Sequence, residues 1–137
     1  MSVDGNVLNT PIVSTSTDGS NTSDDYFISS RMDRDNTYSE MLENYQKIID
    51  DANATNDQKN TAAAEIKKIN DNKNSIMIVE NLIKTKGFED VVVLVNQDSI
   101  NIVVKKDSLN SDEVAQIANI ITREFNVDIS KVHITNK

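Results

Sequence analysis

The stretch Glu80–Lys106, ENLIKTKGFEDVVVLVNQDSINIVVKK, decides the fold because its periodicity changes from helical to alternating. Gly87 follows the helical part and can adopt the left-handed conformation that ends many helices. The β-branched run Val91–Val95 and the alternating run Ile100–Lys106 each predict a strand, and the polar residues Asn96–Ser99 predict the turn between them. The stretch therefore predicts a helix, a tight turn and a β-hairpin.

Two helices are predicted before the hairpin. The first covers residues 24–54, and its apolar side chains keep three-four spacing at Tyr38, Met41, Tyr45, Ile48 and Ala52. Its N-terminal half is much more polar, and a helix this polar is marginal without packing. Two interpretations stay open: the C-terminal half packs on the next helix, and the N-terminal half awaits a partner protein or another subunit. Thr55 and Gln58 have capping-box spacing, which predicts a second helix from Asn56 to about Lys86.

A third helix and a third strand are predicted after the hairpin. Asn110 and Glu113 have the spacing of a second capping box, and the helix that follows carries one apolar stripe, formed by Val114, Ile117, Ala118, Ile121 and Phe125. Residues 128–135 predict a strand with Ile129, Val132 and Ile134 as its apolar positions. The order predicts an α+β fold: two N-terminal helices, then a strand-strand-helix-strand unit, with the helices on one face of a three-stranded sheet.

The predicted elements divide the chain into three parts. Residues 1–23 are rich in Ser, Thr, Asn and Asp and contain the one proline, so we expect a flexible linker or tail. Residues 24–54 form the polar N-terminal helix, and residues 55–137 form the folded domain. No apolar run reaches the roughly 20 residues that span a bilayer, so membrane attachment is expected only through an anchor that this chain lacks.

Composition disfavours several classes of function. The net charge is -8, and residues 1–54 hold ten acidic against three basic residues, the wrong sign for nucleic acid. The chain has no cysteine and one histidine, so a zinc site or a nucleophile-base pair has no second member. Its three glycines are too far apart for a phosphate-binding loop. We therefore expect neither an enzyme nor a cofactor.

The remaining candidate is a protein-binding surface. Because Val91–Val95 contains no polar residue, it presents an apolar strip on the outer face of the sheet in either register. We predict that the hairpin and the third strand bind a partner by edge or face pairing. The predicted partner-binding residues are Val92, Leu94, Asn101, Val103, Lys105, Val132, His133 and Ile134. In the alternative interpretation, a terminal segment or the first helix covers the strip.

Four segments carry a resemblance to a known family: YFISSRMDRDNTYSEMLENYQKIIDD (26–51), GFEDVVV (87–93), LNSDEVAQIANIITREFNV (109–127) and DISKVHI (128–134). Residues 24–137 resemble the extracytoplasmic domain of the stage III sporulation protein AH family of endospore-forming bacteria. The resemblance implies a ring-building-motif fold, shared with ring-forming subunits of type III secretion systems.

The same resemblance implies a role in sporulation. It implies a mother-cell membrane protein with this domain in the space between mother cell and forespore. There the domain binds stage II sporulation protein Q, contributes to a channel and can form homo-oligomeric rings. The competing hypothesis is a generic soluble interaction adaptor unrelated to sporulation.

Overall fold

The computed structural model describes residues 22–137. Its elements are α1 (Thr22–Asp50), α2 (Asn56–Thr85), β1 (Val91–Val95), β2 (Ile100–Val104), α3 (Ser111–Phe125) and β3 (Val132–Asn136). The predicted α+β fold and its element order are confirmed. The predicted linker lies outside the described residues, except for residues 22 and 23, which begin α1.

Local sequence signals place the ends of α2 and α3 as predicted. The Thr55 hydroxyl accepts a hydrogen bond from the Gln58 amide, and the Gln58 side chain accepts one from the Thr55 amide. Asn110 and Glu113 form the same reciprocal pair before α3. After α2, Gly87 has a φ of 103°, a conformation that glycine adopts without the penalty of a Cβ atom. These caps fix where the chain turns toward the sheet.

The sheet has the strand order β1-β2-β3. β1 and β2 pair antiparallel, with Val93 opposite Ile102, as a hairpin requires. β2 and β3 pair parallel, with Ile102 opposite Ile134, and α3 makes the crossover between them. β1 and β3 are therefore the two edge strands.

One face of the sheet packs against α2 and α3 and forms the main core. Residues of odd number in β1 and even number in β2 point into it, including Val91, Val93 and Ile102, all fully buried. The C-terminal half of α1 joins this core through Tyr38, Met41, Leu42 and Tyr45, so the predicted apolar seam of that helix is confirmed up to Tyr45. Beyond it, Ile48 is 38% exposed and Ala52 lies after the end of the helix.

Three strand boundaries differ from the prediction. β2 ends at Val104 instead of Lys106, and β3 runs from Val132 to Asn136 instead of over residues 128–135. The Asp128 side chain accepts a hydrogen bond from the Ser130 amide and caps a short 3-10 turn over Ile129–Lys131. Ile129, predicted as a core position of the strand, is 64% exposed. A local aspartate cap therefore overrides the alternating pattern at this point.

Candidate protein interface

The N-terminal half of α1 runs along the free edge of β1 and occupies its hydrogen-bonding groups. Arg31 donates to the carbonyl of Val91 at 3.0 Å, and Arg34 donates to the carbonyl of Val93 at 3.1 Å. The amide of Val93 donates to the Glu80 carboxylate at 2.9 Å, and the amide of Val91 donates to its neighbour Asp90. Side chains thus take the place of a neighbouring strand, and this edge is closed to strand pairing over these residues.

The same side chains form an ion-pair cluster. Arg34 Nη1 lies 2.8 Å from Glu80 Oε2, and the two side chains are only 12% and 14% exposed. Burial disfavours the charged form of Arg34, but the hydrogen bond and charge of Glu80, with help from Asp35, outweigh it and raise the pKa of Arg34. Arg31 pairs with Asp90, which Lys84 also approaches at 3.7 Å. Ion pairs with Glu80 of α2 and with Asp90, the residue before β1, therefore hold α1 against the sheet.

The outer face of the sheet is partly covered. Val92 and Val103 are 0% and 6% exposed because fully buried Phe27 of α1 packs on them, with Tyr26 and Leu94 at the margin. The expectation that both valines form an exposed apolar strip is therefore wrong for this arrangement of the chain, and the alternative, cover by the first helix, is what the structure shows. The strand register puts the apolar side chains outward, but α1 then crosses them.

The other predicted interface residues divide between the two faces of the sheet. Asn101 and His133 are paired across β2 and β3 on the outer face, where His133 is exposed and Asn101 half-buried. Val132 and Ile134 point to the other face, half-buried against the core. The eight residues therefore do not form one continuous patch.

Lys105 stands at the end of β2, where two acidic side chains engage it. Its Nζ atom lies 2.5 Å from Asp24 of α1 and 3.1 Å from Glu89. The hydrogen bonds to Asp24 and Glu89 raise the pKa of Lys105. The lysine predicted to face a partner is thus one more contact that fastens α1 to the sheet.

A cleft of about 750 Å³ lies at the hairpin end of the molecule, between α1, α2, the turn and the C-terminal end of α3. Its lining includes Arg34, Tyr38, Val95 and Phe125. Burial raises the pKa of Tyr38, with the charges of Arg34 and Asp35 acting in opposite directions. Within residues 22–137 no three His, Cys, Asp or Glu side chains gather as a metal site. Nor is any helix of that region long and apolar enough to cross a membrane.

Sequence reasoning missed the residues that close the β1 edge, namely Arg31, Arg34, Glu80 and Asp90. Arg34 and Val93 are 59 positions apart, so no local pattern connects them. The one signal is the placement of Arg31 and Arg34 on the same helix face as Phe27 and Tyr38. Arginines on the side of a helix that faces its own domain are candidates for such backbone contacts.

The topology, a three-stranded sheet with two helices on one face and a parallel β-α-β crossover, defines the class of ring-building-motif domains. Residues 4–134 match the family described as SpoIIIAH-like protein. The chain belongs to this family.

Two individual proteins support the assignment. The chain is 30% identical over 102 residues to the stage III sporulation protein AH of Bacillus subtilis (strain 168), covering 74% of this chain and 47% of the relative. It thus spans about half the length of that relative. It also matches a chain in the solved structure of the SpoIIQ-SpoIIIAH pore forming complex, with a TM-score of 0.75 and 26% identity. That match covers 82% of this chain and 96% of the other. The implied fold is confirmed.

Proposed function

We propose that this chain is a non-enzymatic binding and assembly module of an endospore-formation channel, the ectodomain of a mother-cell membrane protein that binds stage II sporulation protein Q of the forespore. The observation that carries the proposal is the match, over nearly the whole of the other chain, to a structure of the SpoIIQ-SpoIIIAH pore forming complex. The ionisable groups of the cluster beside β1 pair with one another and fasten α1 to the sheet, so we assign that cluster a structural role.

The proposed contact surface is β3 with the adjoining outer face of β2. Asn101 and His133 lie side by side there, while Val92 and Val103 are reached only if Phe27 leaves the sheet. A charged side chain introduced at either valine would disturb the packing beneath Phe27, so the variant would not report on binding alone. Exposed positions are therefore the better probes.

The test is capture of this chain by the purified ectodomain of stage II sporulation protein Q from the same organism, measured by calorimetry. We expect a saturable complex, and we expect His133→Asp to weaken it about tenfold or more while Asn119→Asp, on exposed α3 surface, leaves it unchanged. The absence of any complex with the unsubstituted chain would contradict the proposed function.

Ring formation is a separate part of the proposal and has its own measurement. We expect sedimentation of the mixed proteins to show assemblies larger than one copy of each. A complex that stays one-to-one at high concentration would remove the ring while leaving pairwise binding intact.

A further inference from the structure

The edge of β3 is the open edge of this sheet within the described residues. The amide of Lys137 donates to the carbonyl of Val104 at 2.9 Å, and the amide of Lys106 donates to the carbonyl of Lys137 at 3.2 Å. Backbone groups alternate in direction along a strand, so those of His133 and Thr135 also point to β2. Those of Val132, Ile134 and Asn136 point away from the sheet. The Val132 amide turns back to Ile129, which leaves the amides of Ile134 and Asn136 facing outward.

The two edges of the sheet therefore differ in kind. On β1, four outward backbone groups bond to Arg31, Arg34, Glu80 and Asp90. No comparable set of side chains covers β3 among residues 22–137. Strand addition is thus available on β3, where an incoming strand would extend the sheet to four strands.

The surroundings of β3 are basic although the chain carries a net charge of -8. Lys131 precedes the strand, His133 is exposed within it, and Lys137 follows it with Nζ 4.6 Å from the ring centre of Tyr26. The nearest acidic residue along the chain is Asp128, whose carboxylate accepts a hydrogen bond from the Ser130 amide in the turn before the strand. An approaching strand therefore meets one lysine at each end of β3 and outward backbone groups along the edge.

Charge argues against a second copy of this chain as the occupant. In an antiparallel β3–β3 pair centred on Ile134, Lys131 of each copy stands opposite Lys137 of the other. Shifting the centre by one position either sets His133 opposite itself or opposite Lys137. Like charges directly opposite each other destabilise a strand pair. The register centred on Ile134 thus sets two lysines of like charge opposite each other at both ends of the pair, and a strand with acidic side chains is the better complement.

We infer that the β3 edge binds an extended segment of the partner that carries acidic side chains at alternate positions, with backbone hydrogen bonds to Ile134 and Asn136. This inference rests on the proposed function, since it names the part of this chain that the partner contacts. The acidic side chains lie on the outer face beside His133 and at the start of the strand beside Lys131. The core-facing side of the added strand continues the apolar row of Val132 and Ile134.

The experiment compares a variant that lacks the outward amide N–H of residue 134 with a variant that keeps it. Ile134→Pro and Ile134→Ala lose the same half-buried side chain, but only proline removes the outward amide, which makes no bond to β2. We expect the proline variant to bind the stage II sporulation protein Q ectodomain about tenfold more weakly than the alanine variant. Equal affinity of two folded variants would overturn the inference and leave the proposed function standing.

Two further measurements do not depend on the folding of the proline variant. Lys131→Glu should weaken binding about tenfold, whereas the same charge change at exposed Lys47 of α1 should not. Hydrogen exchange of the unsubstituted chain should show protection of the Ile134 and Asn136 amides on binding. Protection confined to other elements, or equal effects at Lys47 and Lys131, would overturn the inference. Failure of the unsubstituted chain to bind would overturn both the inference and the proposed function.

Discussion

Replacing Arg34 with alanine tests whether the N-terminal half of α1 is fastened by its contacts with the sheet edge. Arg34 Nη1 lies 2.8 Å from Glu80 Oε2 and 3.1 Å from the carbonyl of Val93. Removing one member of a fully buried ion pair costs about 3–5 kcal/mol because the other charge stays buried alone. Water reaches part of both side chains here, so we expect a loss of about 2–3 kcal/mol in the free energy of unfolding.

The assay is urea unfolding monitored by circular dichroism, with Arg123→Ala as the matched control on the exposed side of α3. The control loses a favourable charge near a helix C-terminus, worth about 0.5 kcal/mol. A second measurement uses Glu80→Gln, which keeps an acceptor for the Val93 amide but removes the charge. In that background Arg34→Ala should cost about 1 kcal/mol less, because no charge is left unpaired. The reasoning is refuted if Arg34→Ala and Arg123→Ala destabilise the chain equally.

Three other outcomes follow from the structure. Phe27→Ala removes the fully buried ring over Val92 and should lower the free energy of unfolding by about 3–5 kcal/mol. It should also raise amide exchange in residues 23–37 and the binding of a hydrophobic fluorescent dye; unchanged exchange there would contradict the packing. Glu113 has a pKa lowered by the hydrogen bond from Lys106 and by its bond to the Asn110 amide, so it contributes stability above its ordinary pKa of about 4.3 that is lost as the pH falls through the lowered value. Glu113→Gln keeps the cap, and its stability should therefore fall less steeply on acidification than that of the unsubstituted chain. Gly87→Ala should cost about 1–2 kcal/mol in thermal unfolding through strain at its φ of 103° alone, since nothing lies within 4 Å of an added Cβ.

The elements that sequence predicted well are those with local causes. The change of period after Gly87, the reciprocal caps at Thr55 and Asn110, and the alternation in Ile100–Val104 each act within a few residues, and the structure reproduces them. The start of β3 was misplaced by four residues because Asp128 caps a turn that alternation alone does not reveal. Whether residues 128–131 form a strand or a capped turn depends on the hydrogen bond from the Ser130 amide to Asp128, and the apolar pattern does not report that bond.

The candidate site was harder to predict because its exposure depends on contacts between distant segments. The sequence predicted an apolar outer face in either register of the hairpin, and the structure puts Val92 and Val103 there, but only the path of α1 decides that Phe27 covers them. The polar character of the N-terminal half of α1 left two interpretations open, packing or waiting for a partner. Arg31 and Arg34 contribute to this polarity, and in the structure they donate hydrogen bonds to strand carbonyls. Composition does not distinguish this role from solvent exposure.

These contacts give the N-terminal half of α1 a defined physical role. A three-stranded sheet has two faces and two edges, and α2 with α3 can cover only one face. The remaining apolar residues and the β1 edge would together form a surface prone to unspecific strand pairing. In α1, Phe27 covers the outer apolar residues, and Arg31 and Arg34 bond to the β1 edge, so one helix closes both the face and the edge. Among residues 22–137 the edge of β3 stays open, and this is the edge at which we propose that the partner strand binds.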